Sequence, residues 1–296
     1  MSEPSGTTRP EDRHDPTLLA PPPRSARVGT PVGTGRSEAE SSTVARLIPS
    51  LTLLLLCHAS VACSSIDRGS FGPFERSLST MGHGYRAVED PTGTAPTRVV
   101  EVFEVRPGDC EDSPGWSDCE NDRERSELKE SDKDNYPGDE YWYGWSVYFP
   151  TDYENVFPTK TALGQFHQDE AHPVWMFQNS NGGYHLDDQV PSRSRRYHEL
   201  IEESELRGRW HRIEVHAKWA TTEDGFFRVW VNGENEVDYE GRTMTDRAVY
   251  FKYGVYRTFV SRYRDANGGD AVPAQIAYFA NVKRAQDREG LKADAR

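Results

Sequence analysis

The chain has 296 residues and carries 35 lysines and arginines against 48 aspartates and glutamates, for a net charge of −13. That balance argues against nucleic acid as a partner, because a phosphate backbone is recognised by a basic surface. Hydrophobic residues make up 35% of the chain, and the stretch after residue 63 is long enough for one domain with a sizeable core.

Residues 1–43 are rich in Pro, Gly, Ser, Thr, Arg and Glu and poor in apolar side chains. Such a segment cannot bury enough surface to offset its ordering entropy, so it reads as disordered, or as an over-extended gene start with Val44 the true one. Residues 44–63 follow the pattern of an export signal: Arg46, an apolar run at 47–56, then Ala-Ser-Val-Ala-Cys. The run is short of the roughly 20 apolar residues that span a bilayer. Small residues before Cys63 make that cysteine a candidate for lipidation and membrane anchoring, although Ser60 stands where a bacterial lipoprotein box usually has Leu. Plain secretion is the alternative. The expected location is the periplasm, the outer membrane or the extracellular space.

Residues 64–296 read as one domain. Of the four cysteines, Cys57 would leave with the signal and Cys63 would carry the lipid. Cys110 and Cys119 remain, in a loop rich in Gly and Asp, and an exported chain would bridge them. Zinc is disfavoured because no second Cys or His pair sits at ligand spacing.

Short β-branched and aromatic runs separated by turn residues predict strands at 98–106, 125–129, 141–149, 162–168, 174–178, 184–187, 197–201, 210–219, 226–231, 237–239, 249–257 and 275–282. The run at 210–219 alternates most clearly: Ile213, Val215, Ala217 and Trp219 face one way, and Arg212, Glu214, His216 and Lys218 the other. Asn232-Gly233 signals a hairpin. No long stretch has helical period, although 204–209 suits a short turn and the charged tail from Lys283 is expected to fray or form a short helix. Many short strands joined by turns indicate an all-β sandwich or jelly roll.

Three strands concentrate chemistry on one side. Arg-Ser-Glu-Leu-Lys at 125–129 points Arg125, Glu127 and Lys129 one way. Gln-Phe-His at 165–167 points Gln165 and His167 together. Tyr-Phe-Lys-Tyr-Gly-Val-Tyr at 250–256 aligns Tyr250, Lys252, Gly254 and Tyr256. Leu128, Phe166, Phe251, Tyr253 and Val255 face oppositely and suit a core. Gly254, inside a strand, marks close approach of a ligand or another backbone.

These runs resemble, in order, the R-[ST]-E-L-[RK], Q-x-H and Y-F-K-x-G-x-Y motifs of the alginate-lyase-like polysaccharide lyases. The Asp-Arg-Glu-Arg-Ser-Glu-Leu run and the Trp-His-Arg strand are more similar to the glucuronan-lyase and heparin-lyase I branch. The likeness covers roughly residues 70–283 and implies a concanavalin-like β-jelly-roll sandwich that cleaves a uronic-acid polymer by β-elimination. Such a reaction must neutralise the uronate carboxylate, remove the C5 proton and protonate the departing O4 oxygen. The resemblance implies Arg125 and Gln165 for the carboxylate and His167 and Tyr256 for proton transfer, with the identity of the base left open. Glu127 would orient Arg125. Lys252, Lys129, Arg257, Arg195, Arg196 and Tyr197 are candidate substrate contacts, with Arg193 a further cation for a basic groove on an acidic body. Trp175 suits the core; Tyr184 and Tyr197 are candidate sugar platforms. His198 could add to substrate binding, and His211 and His216 could line the groove. His172 lies five residues beyond His167, but further ligands for a metal there are not evident. No cofactor is required. Calcium, carried by some relatives, could be held by the acidic 109–122 loop, but acidic loops are usually just solvated, and no metal is assigned. The partner is an anionic polysaccharide and the expected state a monomer. Two rivals are a glycoside hydrolase, disfavoured because no strand of alternating acids provides its carboxylate pair, and a non-catalytic carbohydrate-binding module, which would need no acid/base pair.

Overall fold

The computed structural model describes residues 66–132, 135–191 and 194–293. The N-terminal extension, the export signal, Cys57, Cys63 and Arg193 lie outside the described residues. In chain order the strands are β1 (Phe74–Arg76), β2 (Tyr85–Glu89), β3 (Val99–Val105), β4 (Asp112–Ser113), β5 (Trp116–Ser117), β6 (Arg123–Glu130), β7 (Glu140–Tyr148), β8 (Lys160–Gln168), β9 (Pro173–Asn179), β10 (Tyr184–Asp188), β11 (Arg196–Ile201), β12 (Trp210–Lys218), β13 (Phe226–Val231), β14 (Glu234–Glu240), β15 (Val249–Thr258) and β16 (Gln275–Ala285), with one short helix, α1 (Val260–Ala266), before β16.

Two seven-stranded sheets form, in the orders β1-β6-β15-β8-β9-β10-β11 and β14-β13-β12-β7-β16-β3-β2, with β4 and β5 as a separate small hairpin. The alternating residues explain the pairing. Phe166, Phe251, Tyr253 and Val255 of the first sheet and Tyr143, Trp145, Ile213, Val215 and Phe227 of the second belong to one buried cluster. Each such side chain contributes about 1.5–3 kcal/mol by leaving water. Trp175 stacks on Phe227 with ring centres 4.0 Å apart, the core role its sequence suggests. Asn232 and Gly233 both take positive φ, the geometry of the tight turn between β13 and β14.

The two edge strands β1 and β2, the β4–β5 hairpin and α1 are absent from the sequence reading, being short and half exposed. The tail expectation holds in part: a short 3-10 helix forms at Glu289–Leu291, but the segment from Lys283 does not fray. β16 runs on through Lys283 and Arg284, both buried. Lys283 pairs with Asp67 at 2.7 Å, and Arg284 with Glu130 at 3.2 Å and the Asn135 side chain at 2.9 Å. A charge run that looked solvated is partnered within the fold. Among the described residues no helix is long and apolar enough to cross a membrane.

Candidate active site

The three motif strands are neighbours, in the order β6-β15-β8. Their register lines up Lys129, Lys252 and Gln165 across the sheet, and the line continues to Glu75 on one side and to Met176, Asp187 and Tyr197 on the other. A parallel line joins Arg125, Tyr256, Ala162, Gln178 and His185. Tyr250 stands opposite His167. Side-chain parity places these residues on the face turned away from the core. Between Tyr253 and Tyr256 the pairing of β15 with β8 slips by one residue, a β-bulge. Gly254 sits there at φ +133°, and a Cβ on it would lie 2.4 Å from the Ser126 carbonyl oxygen and 2.9 Å from Glu127 Cα. The close approach expected of this glycine is therefore to the backbone of β6.

Glu127 organises the middle of the face. Its Oε1 accepts the Gln165 amide N–H, its Oε2 lies 2.6 Å from Lys252 Nζ, and the Arg125 guanidinium is farther off at 3.4 Å. All four side chains are buried. Glu127 thus meets Arg125, as expected, and holds Lys252 and Gln165 more closely still. Burial, opposed mainly by Glu127, moves the Lys252 ammonium below its ordinary pKa.

Arg125 does not stand with its guanidinium open to a ligand carboxylate. Asp118, fully buried, occupies that fork through both carboxylate oxygens. The guanidinium carbon sits 4.1 Å from the centre of the Tyr256 ring, within cation–π range. Asp118 is a residue the sequence reading passed over, because one acid in an acidic loop looks like solvated surface.

His167 Nδ1 lies 2.7 Å from the Gln168 carbonyl oxygen. A carbonyl only accepts, so Nδ1 carries the hydrogen and Nε2 of the neutral ring keeps its lone pair. Burial first, then the Lys252 charge, lowers the imidazole pKa to about 4. Tyr256 is raised by burial, with Arg125 and Arg123 pulling the other way. Tyr250, whose ring is 5.3 Å from His167, is raised to about 12 by burial and then by Glu127 and Asp169.

The other candidates divide. Tyr197 is exposed, with Arg195 5.2 Å and Lys160 5.9 Å from its ring centre. Arg195 also pairs with buried Asp187. Lys129 is half exposed and pairs with Glu75 at 3.0 Å. Arg257 is corrected: it follows Tyr256 but has the opposite parity, is fully buried, and pairs with Glu124 and the Pro273 carbonyl. Arg196 stands on the side of β11 opposite to Tyr197 by the same alternation. Tyr184 is in the core. His211 and His216 belong to β12 in the other sheet and line no part of this face. Arg123, on β6 beside Tyr256, is a cation the sequence reading missed.

Cys110 and Cys119 are bridged, with Cα atoms 5.1 Å apart. Four acids of the 109–122 loop face protein donors: Asp109 receives His83 and the Arg106 N–H, Glu111 receives Thr80, Asp118 receives Arg125 and Trp116, and Asp122 receives Ser261; Asp112 and Glu120 are exposed. Among the described residues no group of three or more His, Cys, Asp and Glu side chains is arranged to hold a metal ion.

A family profile described as polysaccharide lyase matches residues 74–283. No curated protein sequence matches the chain. Among solved structures, the endo-β-1,4-glucuronan lyase of the fungus Trichoderma reesei is 16% identical, with 77% of this chain and 100% of that one covered and a TM-score of 0.54. The alginate lyase PA1167 of Pseudomonas aeruginosa is 15% identical over 72% of this chain and 97% of its own, with a TM-score of 0.47. At such identities the likeness to the first speaks for the fold, the expected two-sheet β-jelly roll. The profile takes in strands of both sheets and all three motifs, and on that ground the chain belongs to the polysaccharide lyase family and acts as a lyase on polysaccharide.

Proposed function

We propose that the protein cleaves a uronic-acid-containing polysaccharide by β-elimination on the outer face of β6, β15 and β8. The observation that carries this reading is the Glu127 centre, which holds an amide and an ammonium side by side on that face. The second N–H of Gln165 and the Lys252 ammonium receive the uronate carboxylate and stabilise the charge that moves onto it as C5 loses its proton. His167 takes that proton on Nε2. The arriving carboxylate offsets the Lys252 charge and raises the basicity of the ring. The C5–H electron pair forms the C4–C5 double bond, the C4–O4 bond breaks, and Tyr256 donates its hydroxyl proton to O4. Solvent then returns a proton from His167 to the phenolate.

Tyr256 is the better acid of the two tyrosines on this face. Beyond burial, the phenolate of Tyr256 meets Arg125 and Arg123 ahead of Asp118 and Glu127, whereas that of Tyr250 meets Glu127 and Asp169 ahead of Arg125. One observation favours Tyr250: its ring neighbours His167, while Tyr256 stands opposite Ala162, beyond the bulge in β15. Tyr197, Arg195, Lys160, Arg123 and Lys129 supply the contacts for the polymer on either side, and the acidic remainder of the surface stays solvated.

The enzyme is exported, which the Cys110–Cys119 bridge supports, with Cys63 as a lipid anchor, and it acts as a monomer. The reaction uses these side chains without a cofactor: the buried acids of the 109–122 loop, Asp109 and Asp118, are engaged by protein donors. Activity is accordingly expected to withstand chelation of divalent ions.

The test is to incubate purified protein with glucuronan, alginate and glycosaminoglycans and follow ultraviolet absorbance of the conjugated C4–C5 double bond. Saturated reducing ends would mean hydrolysis. Binding without cleavage of any polymer would favour a carbohydrate-binding module.

A further inference from the structure

We propose that the Cys110–Cys119 loop is a positioning device for the proton donor: it sets the Asp118 carboxylate against Arg125, and Arg125 in turn fixes the Tyr256 ring. The inference rests on the assignment of Tyr256 made above.

The loop is tied to β6 on both sides of its bridge. The Arg125 N–H donates to the Asp109 carbonyl at 2.9 Å, and the Arg123 N–H to the Asp118 carbonyl at 2.9 Å. Within the loop, β4 and β5 pair Asp112 with Ser117 and Ser113 with Trp116, and the Asp118 N–H reaches the Glu111 carbonyl at 3.1 Å. Asp118 immediately precedes Cys119, so the bridge fixes the backbone from which the carboxylate projects. Trp116 Nε1 donates to Asp118 Oδ1 at 2.8 Å, and both carboxylate oxygens take the Arg125 fork. Ser77 at 3.2 Å and Glu127 at 3.4 Å receive Arg125 NH1. A guanidinium held from these directions has no freedom to tilt, and it lies against the ring that must point its hydroxyl at O4. A planar bidentate pair fixes orientation as well as distance. Asp118 also prevents Arg125 from pairing with the substrate carboxylate, which leaves that task to Gln165 and Lys252.

Asp118 is a positioning residue, and its signature is kinetic and electrostatic. Tyr256 is faced by Arg123, Arg125 and Glu127 from β6, by Asp118 from the loop and by Lys252 on its own strand, while its neighbour on β8 is the uncharged Ala162. Removing the Asp118 charge makes the phenolate easier to form.

The experiment compares wild type, Asp118→Asn, the pair Cys110→Ser with Cys119→Ser, and the triple variant. On a polymer the wild type cleaves, D118N is expected to lower kcat at least tenfold with KM changed less than threefold. The bridge variant lowers kcat in the same way, and the triple variant falls no further than the worse of its parents, because both changes act through one carboxylate. The ring-carbon NMR signal of Tyr256, assigned with Tyr256→Phe, titrates at lower pH in D118N than in wild type. Unchanged kcat in D118N, an unmoved titration, or multiplying losses in the triple variant would each overturn the proposal. Should the variants not fold, reduction of folded wild type by a phosphine decides: activity falls and returns on reoxidation, and full activity of the reduced enzyme refutes the idea. A wild type that cuts no polymer sinks the assignment of function instead, and the Tyr256 titration then still judges the loop.

Discussion

Lys252 Nζ stands 2.6 Å from Glu127 Oε2, with both side chains buried beneath the outer face of the first sheet. A pair of this kind need not stabilise the fold relative to apolar residues of equal volume, because two ions have left water. Removing one member is another matter.

Lys252→Met leaves Glu127 buried with its remaining partners, and Glu127→Ala strands both Lys252 and the Gln165 amide. Each is expected to cost about 3–5 kcal/mol, the scale for breaking a buried pair. Denaturant unfolding monitored by tryptophan fluorescence checks this. A loss below about 1 kcal/mol in both would show that water enters the site freely.

For catalysis, His167→Ala and Tyr256→Phe are each expected to cut turnover at least about a hundredfold, the scale of lost acid–base help, with the fold retained because neither side chain packs in the core. Tyr250→Phe is expected to lose much less. Equal damage from Tyr250→Phe and Tyr256→Phe, measured as the rate of double-bond formation, would move the acid to the tyrosine beside His167.

The His167 imidazole is held to about pKa 4 in the fold against an ordinary value of about 6.5. The unfolded chain therefore binds more protons between those values, and stability rises with pH through that window. Its contribution is fully present above about pH 6.5 and lost as the pH falls towards about 4. Thermal unfolding of His167→Gln against wild type should show a shallower decline over the same window. Parallel curves would mean that other groups carry the acid sensitivity.

Gly254→Ala puts a methyl carbon 2.4 Å from the Ser126 carbonyl oxygen and 2.7 Å from a Phe103 ring carbon, at φ +133°. Overpacking alone costs about 1–3 kcal/mol, and the backbone conformation adds to it. Because β6 must move to make room, activity is expected to fall along with the melting temperature. A variant as stable as wild type would show that the bulge relaxes.

What could be read beforehand was whatever obeys a two-residue period. Parity alone placed Gln165, His167, Lys252 and Tyr256 on one face, and the same rule, applied one residue further, assigns Arg257 inward. Arg257 was offered as a cation for a basic groove, a reading of its charge that left its parity out. Asp118 was invisible for a different reason: no local pattern distinguishes a carboxylate bound by an arginine across a loop from one in water. The start of the tail was illegible similarly, since the partners of Lys283 and Arg284 are Asp67 and Glu130, far away in the chain.

The line from Glu75 through Lys129, Lys252, Gln165, Met176 and Asp187 to Tyr197 takes one residue from each of seven strands. At about 4.8 Å between strands it is roughly 29 Å long. A polymer laid along it is measured by strand count. On the proposed reading the second to fourth strands do the chemistry, and the single strand on one side and the three on the other set how many sugars are gripped before and after the cut. Trimming or rebuilding an edge such as β11 therefore changes the length of the products while leaving the bond-breaking groups in place, so chain-length preference and reactivity can diverge independently in this fold.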